Sequence, residues 1–382
     1  MTTSLSISFL TLALLLWLSS YGYLLTLGML VRFRWQQGTD RIVQPRIAVI
    51  VPTLNEESFI LGKLEDLFRT DYPRDRMTIV VADGGSRDRT LSHVEEVLTR
   101  GEAIRLQRMP NARSKSDQIT MVLSNLDHEI IVITDADARL EPSCIRELVG
   151  TLVEDPRTGV VGALIRPHTG LLEERLHWRL VNFLWWLEGE ALSSALVSGV
   201  CFAARREVLQ ALLPQAATED VQLALAAGAS GHRVRICTTA WATEMRVPQS
   251  TSELLEFRRR RGSAYVCELV RSLRYVNAPG GWRLARHVRL WHVFATPALV
   301  ALFVVSAAAL LLTPHWPLPI VTLAVFVVPV LSFMIISPSD DSPRYRFARV
   351  GLAATRLVVL IWISLALTAP LAWLHVPAGD SA

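Results

Sequence analysis

Charged side chains are absent from residues 1–31, and the apolar run from Phe9 to Val31 can cross a bilayer core of ~30 Å at about 1.5 Å per helical residue. Arg32 and Arg34 follow that run instead of preceding it, which is the reverse of a cleaved secretory signal, so a retained anchor is expected. Three more apolar stretches, Trp291–Leu312, Leu318–Ile336 and Leu357–Leu374, read as further spans. Between anchor and spans the period changes. Ile47–Val51 is a short β-branched run ended by Pro52, Thr78–Ala82 is a second, and Ile130–Thr134 a third; each reads as a buried strand. Helical spacing follows the first two, through Ile60, Leu61, Leu64 and Leu67 and through Leu91, Val94 and Val97. Strands alternating with helices predict an α/β sheet, with ligands just outside the strands' carboxyl ends. Those ends carry Asn55-Glu56-Glu57, Asp83-Gly84-Gly85-Ser86 and Asp135-Ala136-Asp137, so one polar cleft is expected.

Composition agrees with a mixture of membrane segments and a water-facing domain: 51% hydrophobic residues against 19% charged. A formal net charge of +4 is too small to argue for a nucleic-acid partner. Arginine placement says more. Arg271, Arg274, Arg283, Arg286 and Arg289 precede the second span, and Arg344, Arg346, Arg349 and Arg356 separate the third from the fourth. Thr313–Pro317 and the tail beyond Leu374 hold no Lys or Arg, so the positive-inside rule puts Arg32–Arg289 in the cytoplasm of what reads as a bacterial inner-membrane protein. The alternative makes one C-terminal stretch a re-entrant or interfacial helix. The expected divisions are an anchor at 1–34, a cytoplasmic domain at 45–265, an amphipathic interfacial segment at 266–290, and membrane helices at 291–375. The four cysteines show no Cys-X-X-Cys spacing and are expected to be buried, reduced thiols.

Alternate side chains of an extended segment share a face, so Asp135 and Asp137 can both turn toward one hard cation, Mg²⁺ or Mn²⁺. A solvated turn or helix cap would use the same residues. The glycines of Asp83-Gly84-Gly85-Ser86 let backbone approach an anion, or simply make a tight turn. Thr218-Glu219-Asp220 opens a helical run, either as a cap or as a carboxylate base kept ionised by the helix dipole. Arg258–Arg261 suits a diphosphate through bidentate donation, and equally an anionic lipid surface. Lysine is rare, so Lys115 stands out; its plain alternative is an exposed loop charge.

In order and spacing, Val51–Glu57, Val81–Ser86, Asp135-Ala136-Asp137, Ser198-Gly199 before Arg205-Arg206, Thr218-Glu219-Asp220 and the arginine run resemble the inverting family 2 glycosyltransferases over residues 46–265. The resemblance implies a GT-A fold, a Rossmann-like nucleotide-diphospho-sugar transferase domain, here with one N-terminal and about three C-terminal transmembrane helices. It implies that Thr53 and Glu57 line the nucleoside pocket, with Pro52 also in contact with substrate, and that Asp83 holds the base. It implies that Asp135 and Asp137 bind diphosphate and metal, that Lys115, Glu219, Arg258 and Arg261 contact substrate, and that Asp220 is the catalytic base. One departure is informative. Polymerising members carry Gln-X-X-Arg-Trp or Gln-Arg-X-Arg-Trp where this chain reads Arg258-Arg259-Arg260-Arg261-Gly262, so single additions are expected. The expected donor is a nucleotide sugar, UDP-linked by the family's commonest choice, and the expected acceptor is lipid-linked or a saccharide. A ceramide-like or hopanoid alcohol is an alternative acceptor; a non-catalytic scaffold of polysaccharide export is the alternative of another class. Leu184-Trp185-Trp186-Leu187 would either touch acceptor or form an apolar packing face.

Overall fold

A computed structural model describes residues 2–34 and 44–325. Eight strands form one sheet: β1 (Ile47–Thr53), β2 (Met77–Asp83), β3 (Ile104–Arg108), β4 (Ile130–Thr134), β5 (Ala138–Leu140), β6 (Thr158–Pro167), β7 (Cys201–Arg205) and β8 (Arg233–Glu244). Their order is β3-β2-β1-β4-β7-β6-β8-β5. The first four run parallel; β1, β2 and β4 are continuous apolar runs covered on both faces, whereas β3 is polar and mostly uncovered at the edge. Every residue of β1 is buried: Ile47, Val49 and Val51 pack with Ile60, Leu64 and Val94 on one face, while Ala48 and Ile50 pack with Ile119 and Val122 on the other. This is the GT-A architecture expected from the sequence, with the antiparallel and late strands added.

Strand direction builds the site. Thr53 and Asp83 are register partners at the carboxyl ends of β1 and β2, and β4 ends beside them at Thr134. The antiparallel β7 starts where β4 stops, Cys201 opposite Thr134, so the loop entering β7 reaches the same edge. β6 reverses again and β8 follows it in parallel, which delivers Glu244 to that edge, paired with Ala138 of β5. Thr53, Asp83, Asp135, Gly199 and Glu244 are thus gathered by topology.

Among the described residues, two helices are long and apolar enough to cross a membrane by length and composition: Thr2–Val31 and Gly280–Leu311. Each contains a π turn, at Leu18–Gly22 and Trp291–Ala295, and the turns meet where the His292 ring Nε2 lies 3.0 Å from the Ser19 carbonyl. Phe9 and Phe303 stack with ring centroids 4.7 Å apart. The second helix starts well before Trp291, inside the segment read as interfacial: Trp282, Ala285 and Arg286 are buried, while Leu284 is exposed. Of the stretch Leu318–Ile336 only the residues up to 325 are described, and they are helical. Leu357–Leu374 and Arg344, Arg346, Arg349 and Arg356 lie outside the described residues.

Candidate active site

Lys115 is the site's central cation. It opens the helix Lys115–Leu123, which Ser114 caps by accepting the Asp117 N–H at 3.0 Å. Its ammonium contacts both the Asp135 and the Glu219 carboxylates and donates to the Gly199 carbonyl at 3.3 Å. Burial works against that charge, but Asp135 and Glu219 more than offset it and hold the Lys115 pKa above its ordinary value. Lys115 is therefore no exposed loop charge; it joins β4's end to the helix Glu219–Ala229.

Asp220 lies in the first turn of that helix. Its Oδ2 accepts the Gly199 N–H at 2.7 Å, and its Oδ1 accepts the Val221 N–H at 2.8 Å and the Thr218 hydroxyl at 2.5 Å. The next residue of the Gly199 loop, Val200, accepts the Asp135 N–H at 3.0 Å through its carbonyl. One loop thus fixes Asp135 and Asp220 relative to each other. Glu219 is buried, and burial first, then Asp220 and Asp135, raise its pKa despite Lys115.

Asp137 faces another cation. Arg246 Nη2 donates to Glu56 Oε2 at 2.7 Å, and Arg246 Nε is 3.6 Å from Asp137 Oδ2. Burial and the neighbouring Asp135 raise the Asp137 pKa, and burial likewise raises that of Glu56. Crowded, partly desolvated carboxylates are what a divalent cation relieves, so the donor set fits one. Among the described residues no three acidic, thiol or imidazole groups converge as a ready-made metal cage. Asp135 and Asp137 are the residues that would hold such a cation, which would supply positive charge at this edge of the sheet.

The arginine run divides by helical position. On Thr251–Arg271, Arg258 is 12% exposed and pairs with the buried Glu174 at 2.5 Å; Arg261 pairs with the buried Glu244 although its own side chain is 43% exposed, and Arg259 and Arg260 are exposed. Arg261 also lies 4.1 Å from the Phe257 ring centroid. Glu244 is buried with Oε2 unpartnered, and burial raises its pKa against the pull of Arg261.

The residues expected around the nucleoside lie toward β1 and β2. Pro52 and Thr53 end β1; Thr53 is buried and its hydroxyl donates to the Ala82 carbonyl at 3.1 Å. Asp83 Oδ2 accepts the Gly85 and Ser86 N–H groups at 2.9 and 3.1 Å. Gly85 has φ 97°, a left-handed conformation natural to glycine. Glu57 accepts the Arg89 N–H at 3.0 Å. The link to the acidic centre is the helix Lys115–Leu123, whose Gln118 Nε2 reaches the Thr53 carbonyl at 3.4 Å. Trp185 and Trp186 are half-buried and pack on the domain's apolar clusters. All four cysteines are free and buried.

Four residues of the site, Glu244, Lys63, Glu56 and Arg246, receive no role from any motif. Glu244 could have been found as the acid ending an alternating strand, and Lys63 as the lone cation on the apolar Ile60–Leu64–Leu67 helix face. Lys63 is fully buried and donates to Thr134 Oγ1 at 3.0 Å, directly behind Asp135. Glu56 sat inside a quoted motif without a role, and nothing in the sequence marked Arg246.

Comparison with known proteins agrees with this architecture. Residues 48–213 match the family described as Glycosyl transferase family 2. A Bacillus subtilis protein named "Probable glycosyltransferase YdaM" is 28% identical over 225 residues, 55% of this chain and 53% of that protein. A Methanococcus voltae enzyme, dolichyl N-acetyl-alpha-D-glucosaminyl phosphate 3-beta-D-2,3-diacetamido-2,3-dideoxy-beta-D-glucuronosyltransferase, is 28% identical over 31% of this chain and 39% of that one. The chain therefore spans about half or less of these relatives' lengths. A solved mannosyltransferase from Pyrobaculum calidifontis, in complex with GDP-Man and Mn²⁺, superposes with TM-score 0.74 at 23% identity, over 98% of this chain and 99% of that one. That likeness establishes a shared fold.

Proposed function

We propose, from the premise that this chain carries a family 2 glycosyltransferase domain of GT-A fold, that it transfers one sugar per encounter from a nucleotide sugar to a lipid-linked or saccharide acceptor, with inversion. The observation that carries the reading is the Gly199–Val200 loop, which holds the Asp220 carboxylate on one side and the Asp135 backbone on the other. A base and a diphosphate-binding acid must sit on opposite sides of one anomeric carbon, and this loop sets their spacing.

Asp220 takes the proton of the acceptor hydroxyl as that oxygen attacks the anomeric carbon, while the bond to the nucleoside diphosphate breaks. Three hydrogen bonds orient the carboxylate for this. Lys115 and Arg261 present cations to the departing diphosphate, and their pairing with Asp135, Glu219 and Glu244 holds them in place beforehand. Asp135 and Asp137 would hold Mg²⁺ or Mn²⁺, which supplies positive charge for the diphosphate when bound. The anchor and the second apolar helix would keep the cleft on the cytoplasmic face of the membrane, where a lipid-borne acceptor can approach. UDP is the first nucleotide to try.

The test is a panel of UDP- and GDP-sugars with and without Mn²⁺, read by thermal stabilisation and by transfer or hydrolysis. Asp220→Asn should abolish turnover and leave donor affinity within about threefold. Near-normal turnover overturns the base assignment, and no donor binding at all favours the scaffold.

A further inference from the structure

Arg246 stands two residues beyond β8, and no motif points to it. Its guanidinium spans two loops, donating to Glu56 after β1 at 2.7 Å and lying 3.6 Å from Asp137 after β4, with Phe59 beneath it at 5.2 Å to the ring centroid. Exposure is lopsided: the arginine side chain is 57% exposed, whereas those of Glu56 and Asp137 are 14% and 19%. Two largely desolvated acids thus share one cation, which offsets only part of their charge, sits mostly in water and can swing away at little cost. Lys115 is placed otherwise, enclosed and paired on two sides. Charge counting adds a constraint. A dication arriving at Asp137 while Arg246 stays would put two like charges against one carboxylate, and the repulsion would weaken binding.

We propose that Arg246 is a built-in counter-cation of the donor site: it is shared by Glu56 and Asp137 while no divalent cation is bound, and it must leave Asp137 when one arrives. It thereby sets the affinity of the empty site for the metal. This rests on the reading that Asp135 and Asp137 hold a divalent cation. The glutamate partner gives the displaced guanidinium a place to stay at the rim, so the exchange is a shift between two carboxylates of the same loop pair.

The test is titration of the full-length, metal-free protein with Mn²⁺ alone, free ion being followed by its paramagnetic resonance signal, without donor or acceptor. Arg246→Gln should bind Mn²⁺ about five- to tenfold more tightly than the parent, with Arg246→Lys in between. In an Asp137→Asn background binding should be weak and the gain from Arg246→Gln should vanish, because the two changes act on one contact. Unchanged or weaker binding by Arg246→Gln, with parent binding still sensitive to Asp137→Asn, overturns the role of Arg246 and spares the metal reading. Binding insensitive to Asp137→Asn, or no binding by either parent or Arg246→Gln, overturns both.

Discussion

The backbone N–H of Gly199 donates to Oδ2 of Asp220 at 2.7 Å, which ties the loop entering β7 to the first turn of the helix Glu219–Ala229. The contact needs glycine for want of space. A Cβ at position 199 would lie 3.0 Å from both Asp220 Oδ2 and Glu219 Oε1, so at least one carboxylate would have to give way. Gly199→Ala is expected to lower kcat about tenfold or more by misplacing the base, with the fold retained. Steady-state kinetics alongside a melting curve check this; unchanged kcat would show that the contact does not position Asp220.

Lys115→Met removes the one cation shared by Asp135 and Glu219 and leaves both carboxylates partly buried and facing each other. Breaking such a pair from one side is expected to cost about 2–4 kcal/mol, read by chemical denaturation. Lys115→Arg should recover part of it. Because the raised Lys115 pKa lies above the ordinary lysine value, its ion-pair stability is fully present below that value and is lost only as pH rises through the raised one. The cost of Lys115→Met should therefore be flat across neutral pH.

The legible parts of this molecule are those where one strand or one turn settles the matter. β1, β2 and β4 are apolar β-branched runs covered on both faces, and their carboxyl ends carry Asp83, Asp135 and Asp137 within a residue or three of the strand. β6, β7 and β8 are less regular: Gly159 and Gly162 interrupt β6, and register shifts break its pairing with β8. Antiparallel insertion of β7 beside β4 is a long-range choice that no local period encodes, yet it is what brings Gly199 to Asp135. The charge partners are hidden for the same reason. Lys115 with Glu219, Glu56 with Arg246 and Glu244 with Arg261 come from separate elements, so neither member of a pair announces the other in the sequence. The resemblance singles out Arg258 and Arg261 from the run, but their partners Glu174 and Glu244 come from distant elements and are visible only in the fold.

Metal affinity should depend on pH with a sign that Asp137 sets. Burial and Asp135 raise its pKa, so the folded chain holds a proton there at pH values where a free aspartate is ionised. A cation needs the ionised form, so apparent Mn²⁺ affinity falls as pH drops through the raised value and levels off above it. For the metal-free fold the sign is opposite: stability present below the ordinary aspartate pKa is lost as pH rises through the raised one. Since Arg246 lowers the Asp137 pKa, Arg246→Gln should move the midpoint of the affinity curve to higher pH. Mn²⁺ titrations in mildly acidic to neutral buffers check both; a pH-independent affinity would contradict the assignment of Asp137.

Glu188 joins the two described apolar helices to the α/β domain. It is 1% exposed, and it accepts the Tyr23 hydroxyl at 2.7 Å, the Arg289 guanidinium at 3.0 Å and the Ala195 N–H at 3.0 Å. Tyr23 belongs to the N-terminal helix and Arg289 to the second, while Ala195 begins the stretch that ends at Gly199. A carboxylate suits this place because all three partners are donors; the amide of Gln would turn its NH₂ toward at least one of them. Glu188→Gln is expected to cost about 3 kcal/mol or more, as removal of a buried charge partner does. Tyr23→Phe, which deletes one hydrogen bond and leaves the ion pair, should cost about 1 kcal/mol. Thermal inactivation in lipid nanodiscs ranks the two, and the short backbone run from Ala195 to Gly199 adds a kinetic consequence. Glu188→Gln should lower kcat more than it weakens donor binding, since the displaced loop carries the Asp220 contact and not the nucleoside side of the cleft. Equal stability losses for the two variants, or a donor-affinity defect with normal kcat, would sever the helices from the base.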